Sequence, residues 1–121
     1  MTLELVRNAL LVLHFVGMAA LLGGVISQSR ARERKIQSGM LHGAYLALIT
    51  GIALVGIRYP LNAENPLYEL PDNAKILVKL LVLVVIVLLA FAGKKKAAVD
   101  SGTWLGIGIL SFTNIVVAVF W

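Results

Sequence analysis

Four apolar stretches, each about as long as a bilayer is thick, limit this chain more than any other feature. A hydrocarbon core about 30 Å across needs roughly 20 mostly apolar residues in one helix. Leu3 to Ser27, Ser38 to Ile57, Asn73 to Gly93 and Thr103 to Trp121 all qualify. Short polar segments separate them. The balance of residues agrees, with 60% hydrophobic, 14% charged and a mean hydropathy of +0.91. Soluble domains stand nearer 45–50% apolar and 25% charged. A soluble chain of 121 residues could not bury so much apolar side chain. The expectation is one transmembrane domain over 1–121, an all-α four-helix bundle running up-down-up-down. The first stretch is too long for a signal-peptide core and has no basic leader, so it reads as a retained helix.

Charge placement predicts orientation. Arg30, Arg32, Arg34 and Lys35 fall in the first connection (28–37), and Lys94, Lys95 and Lys96 in the third (94–102). The second connection, 58–72, sets Arg58 against Glu64, Glu69 and Asp72. Lys- and Arg-rich short loops stay in the cytoplasm. Loops one and three are therefore expected inside a bacterial plasma membrane, with loop two and both termini outside. The same basic residues are expected to touch anionic lipid. The net charge of +5 does not point to nucleic acid, because the positive residues flank apolar spans. Pro60, Pro66 and Pro71 in the outer loop should break helix. Tyr59, Tyr68 and Trp121 fit the outer aromatic belt and Trp104 the inner one, all as anchors.

Small residues four apart allow close helix contact in lipid. Ala19 with Gly23, Ala20 with Gly24, Gly39 with Gly43, Ala47 with Gly51, and Gly102 with Gly106 have this spacing. It supports tight packing within the bundle or in a homodimer. No cysteine is present, which excludes disulfides, thiolate metal sites and c-type haem attachment. No span holds a metalloprotease or di-iron carboxylate pattern.

Polar side chains inside a span are costly and serve as functional candidates. At about 1.5 Å of rise per residue, His14 lies roughly 16 Å and Lys79 roughly 9 Å below the outer face, with Thr50 and Asn114 about 12 Å below it. One residue from each helix thus enters a polar layer, a candidate ligand site. The simpler reading is that His14 bonds a carbonyl or Asn114 and ties two helices, while Lys79 snorkels outward. His42 and Tyr45 form a second polar pair near the inner face. Their depth separates His42 from His14, which disfavours a two-histidine haem or metal site.

The segments Leu13 to Gly24, His42 to Ala44, Thr50 to Gly56, Val78 to Val85 and Asn114 to Trp121 resemble small actinobacterial four-helix integral membrane proteins, a family with no assigned activity. More loosely, Leu13-His14 followed by Gly17, and Lys79-Leu80-Leu81, are similar to copper-resistance D-type proteins and four-helix membrane protoporphyrinogen oxidases. That second resemblance implies haem or metal at His14, with Lys79 as its companion. Three functions follow as expectations. The leading one is a non-enzymatic accessory or scaffold bundle with a dry, closed interior. The others are a haem or metal redox protein using His14, and a small oligomeric transporter or channel built on His14, Thr50, Lys79 and Asn114.

Overall fold

The computed structural model describes residues 2–67, 70 and 72–120. Tyr68, Glu69, Pro71 and Trp121, invoked above for the outer loop and belt, lie outside the described residues. Four helices follow in order: α1 (Leu3–Ser27), α2 (Ser38–Glu64), α3 (Asn73–Lys94) and α4 (Ser101–Phe120). Each is long and apolar enough to cross a membrane. Much of their apolar surface faces outward: Phe15, Ile49, Leu88 and Phe112 are all more than half exposed. In water such a surface would be an aggregation hazard; in lipid it is the solvated face.

Side-chain caps set three of the helix starts. The Thr2 hydroxyl accepts from the Leu5 N–H at 3.3 Å, and the Asp72 carboxylate accepts from Ala74 and Lys75, so each satisfies first-turn donors. Asp100 does the same for α4, accepting from the Thr103 N–H and hydroxyl. That cap starts α4 at Ser101, two residues before the expected Thr103, and shortens the third connection.

The expected end of α2 at Ile57 is corrected by the structure. The helix runs through Pro60 to Glu64, so the second connection is 65–72 rather than 58–72. Proline removes one backbone donor, but the next turn is held by Leu61, which is buried, and by the Asn65 N–H to the Leu61 carbonyl at 2.8 Å. Arg58 consequently sits on a helix face, not in a loop.

α1 and α2 form the closest pair. A Cβ at Gly17 would stand 2.7 Å from the Gly43 carbonyl oxygen, so only hydrogen fits there. Gly24 lies against Met40, and Gly51 against the His14 ring. Advancing along α1 therefore means retreating along α2, and the two helices are antiparallel. Gly43 meets Ala20 and the Gly17 backbone, and Ala47 meets Gly17. Among the expected packing residues, Ala20, Gly24, Gly43, Ala47 and Gly51 stand in this seam. Gly23, Gly39 and Gly106 have no atom within 4 Å of a Cβ position, and Gly102 meets just the Asp100 carboxylate. Ala19 is exposed. None of these five enters the α1–α2 seam: Gly23 and Gly39 face open space, Ala19 is exposed, and Gly102 and Gly106 belong to α4. Gly17, Gly93 and Gly108 instead admit close neighbours: Gly93 meets Ile36 and Val99, and Gly108 meets Val25.

The first and third connections join at one end of the bundle. The Val99 N–H donates to the Arg34 carbonyl at 2.8 Å. Gln28 is buried, its amide donating to the Gly24 and Lys35 carbonyls and accepting from the Lys35 N–H. From there a continuous core of Leu21, Val25, Ile36, Met40, Ala44, Ile86, Ala90 and Ile107 fills half the bundle.

Candidate functional site

The other half is not filled. An elongated cavity of about 810 Å³ is lined by residues of all four helices. It reaches from Arg7, Asp72 and Lys75 at one end to Met18 and Leu83 near mid-bundle, with Leu22 one turn further along α1. Met18 and Leu83 also belong to the packed core, so the cavity is blind. Its volume falls within the roughly 300–1,000 Å³ typical of small-molecule pockets. A closed interior is therefore found at one end of the bundle and not at the other.

The lining follows from helical spacing. Arg7, Leu11, His14, Met18 and Leu22 recur every three or four residues on α1, as do Leu48, Gly51, Val55 and Arg58 on α2. Asp72, Lys75 with Ile76, Lys79 with Leu80, and Leu83 give the matching stripe at α3. Residues at these intervals share one helix face. The walls are mainly aliphatic, and the polar groups concentrate toward the Arg7 end.

His14 is half-buried and tied to α2. Its Nδ1 lies 2.9 Å from the Ala47 carbonyl oxygen and 3.1 Å from the Thr50 hydroxyl. A carbonyl only accepts, so Nδ1 carries the proton. The Thr50 hydroxyl spends its own proton on the Leu46 carbonyl at 2.6 Å, leaving its oxygen to accept from His14. The ring is thus the Nδ1–H tautomer when neutral, with Nε2 as its acceptor. The expected tie to a neighbouring helix exists through the first of its two alternatives, a carbonyl, that of Ala47, with the Thr50 hydroxyl beside it. Thr50 itself is buried behind the ring and does not line the cavity.

Asn114 lines the cavity at 5% exposure, and its Oδ1 has no hydrogen-bond partner among the described residues. Such an atom costs roughly 1–3 kcal/mol unless something occupies it. Ser111 and Thr113, three and one residues away, are satisfied locally by the Ile107 and Ile109 carbonyls. Lys79 is half-buried on the cavity wall, in the field of Lys75 and Arg58. Of the four-residue polar layer, His14, Lys79 and Asn114 share the cavity, and Thr50 supports one of them.

His42 and Tyr45 do not join this site. His42 is exposed, Tyr45 half-buried, and neither lines the cavity. Trp104 is more than an interfacial anchor. Its Nε1–H donates to the Val25 carbonyl at 3.1 Å and its ring lies 4.1 Å below the Arg34 guanidinium, pinning α4 to the end of α1. Arg34 also donates to the Gln28 and Ser29 carbonyls, so it is committed to the fold, whereas Arg30, Arg32, Lys35 and Lys94 to Lys96 are exposed.

Sequence reasoning missed Arg7, Arg58 and Lys75 as site residues, placing Arg58 in the second connection. Their signal was the spacing: Arg7 to His14 is seven residues and Lys75 to Lys79 four. Among the described residues no cluster of His, Cys, Asp and Glu could hold a metal ion. Comparisons with protein families, curated proteins and solved structures return no match, so the site itself carries the functional argument.

Proposed function

We propose that this chain is a small non-enzymatic integral protein of a bacterial plasma membrane that holds an apolar or amphipathic guest in its blind cavity. The proposed orientation puts both termini and the 65–72 connection outside, supported by the basic 28–37 and 95–100 connections. Arg30, Arg32, Lys35 and Lys94 to Lys96 then face anionic lipid headgroups of the inner leaflet. Most of the cavity lies in the proposed outer half, and the Leu21–Met40–Ile86–Ile107 core packs the inner half. One observation carries the reading: a lined hollow of about 810 Å³ with a packed floor. That floor disfavours a channel, which needs a path through both halves.

Native mass spectrometry tests this. The purified chain should retain one amphiphile per polypeptide on gentle release from detergent, and Ala118→Trp, which fills the cavity from α4, should lose it. Equal retention by both proteins, or none by either, would contradict the reading.

A second reading has one specific support. With Nδ1–H fixed on the Ala47 carbonyl, His14 keeps Nε2 for a ligand, the arrangement that orients metal-binding histidines. His14 and Lys79 would then hold haem in the cavity, and the haem would supply the redox chemistry. Purified protein supplied with haem should show a Soret band that His14→Ala abolishes; absence of the band removes this reading.

A further inference from the structure

Resting on the guest-binding reading, we infer that the guest carries a neutral quinol head: an aromatic ring with two para hydroxyls on an apolar tail. Two acceptors without donors set the head. The His14 Nδ1–H is spent on the Ala47 carbonyl and the Thr50 hydroxyl, so the neutral ring keeps a lone pair at Nε2 for a ligand. The buried Asn114 Oδ1, also an acceptor, has no partner among the described residues. Both residues line the cavity. Two lone pairs call for two O–H donors. A carboxylate brings none and would set negative charge against the Nε2 lone pair. A quinone brings carbonyl acceptors alone. A single hydroxyl leaves one acceptor unpaired, and an unpaired buried acceptor is costly.

Spacing sets the ring. Gly108 abuts Val25, which fixes the register of α4 against α1. Toward the open end, Asn114 is six residues from Gly108 and Met18 seven from Val25, so the two stand at nearly one level. His14 is four residues beyond Met18, about 6 Å at 1.5 Å per residue. Oxygens on opposite corners of a six-membered ring are about 5–6 Å apart by standard bond lengths. One ring therefore spans the step from Asn114 to His14. Counted from the cavity floor, Lys79 stands four residues from Leu83 on α3, just as His14 stands four from Met18. Its ammonium donates to the oxygen of the hydroxyl that His14 accepts. Arg7, Arg58 and Lys75 are already engaged in the structure, and the head needs none of them.

The tail has its own track. A second hollow of about 340 Å³ lies between α1 and α4, walled by Val25, Ile26, Ile109 and Phe112, and Leu22 borders both hollows. Ile26, Ile109 and Phe112 are more than half exposed, so that track opens on lipid.

The test uses the full chain in nanodiscs of zwitterionic lipid, titrated anaerobically with decylhydroquinone, its quinone, its dimethyl ether and para-decylphenol. Binding is read as mass adducts and as the nitrogen NMR shift of His14 Nε2, with the exposed His42 as internal control. Decylhydroquinone should bind roughly tenfold tighter than the quinone or the ether, with the phenol between them. It should move the His14 signal and leave that of His42 in place. Asn114→Leu should bring the hydroquinone to the affinity of the phenol and leave the ether unchanged. Equal affinity for all four compounds overturns the quinol head while leaving a cavity that holds apolar guests. A quinone or phenol that binds as tightly as the hydroquinone does the same. No saturable binding of any compound overturns both this inference and the guest-binding reading. The wild-type titrations decide the matter even if Asn114→Leu fails to fold.

Discussion

Gly17 and Gly43 face each other across the α1–α2 crossing with room for hydrogen and nothing larger. A Cβ on Gly43 would stand 2.6 Å from the Gly17 carbonyl oxygen, and one on Gly17 would stand 2.7 Å from the Gly43 oxygen. Because backbone atoms are the obstacle, no rotamer change relieves the clash. Gly43→Ala and Gly17→Ala are each expected to destabilise the bundle by about 1–3 kcal/mol, the usual cost of overpacking. Unfolding in mixed detergent–SDS micelles measures this. Gly23→Ala, with open space at its Cβ position, should change stability by less than about 0.5 kcal/mol.

His14 and Thr50 act as one unit on the Ala47 turn. His14→Ala should cost about 1 kcal/mol, in the range of hydrogen bonds between membrane helices. Thr50→Ala should cost less, since the Ala47 carbonyl still holds His14. The double variant is expected to lose less than the sum of the two, because the residues share a bond. Strict additivity in the same unfolding assay would show that the bond contributes nothing.

Trp104 ties α4 to α1 at the opposite end. Trp104→Phe keeps the ring but deletes the Nε1–H bond to Val25, with an expected cost of about 1 kcal/mol. Trp104→Leu also removes the face under Arg34, adding about 0.5–1 kcal/mol. Arg34→Ala on the Trp104→Leu background should then show a smaller effect than on wild type.

Asp100 makes this helix start sensitive to acid. Hydrogen bonds from the Thr103 hydroxyl and then its N–H hold the carboxyl below its ordinary value near 3.8. A depressed carboxyl stabilises the fold above its unfolded pKa and loses that contribution as pH falls through the folded one. Stability of the wild type should thus fall below about pH 4, and Asp100→Asn, an equally good cap at neutral pH, should lack that part of the decline. Parallel acid titrations of both proteins by circular dichroism check it.

The four spans were legible because lipid imposes a length and a polarity that few residues violate. Boundaries were less so. Pro60 looked like a stop, yet a proline near a helix end deletes one hydrogen bond that the burial of Leu61 offsets. The α4 start depended on an Asp100 cap whose value lies in geometry. The polar layer was legible as depth, which the helical rise supplies. What depth cannot give is azimuth: His14, Lys79 and Asn114 turn toward one hollow, whereas Thr50 turns behind the ring and His42 outward. Spacing alone also could not separate Gly17 and Gly43, which meet, from Gly23 and Gly39, which do not. That choice depends on which face of α1 meets α2, a property of the pair.

The natural absence of cysteine makes one measurement especially direct. Val55 lines the cavity between His14 and the Arg58 end, whereas Leu88 is exposed on α3 away from it. With an anionic, membrane-impermeant thiol reagent added to intact cells, Val55→Cys should be labelled and Leu88→Cys should not. Protection of Val55→Cys until the cells are opened, or equal labelling of the two, would contradict an outward-facing cavity.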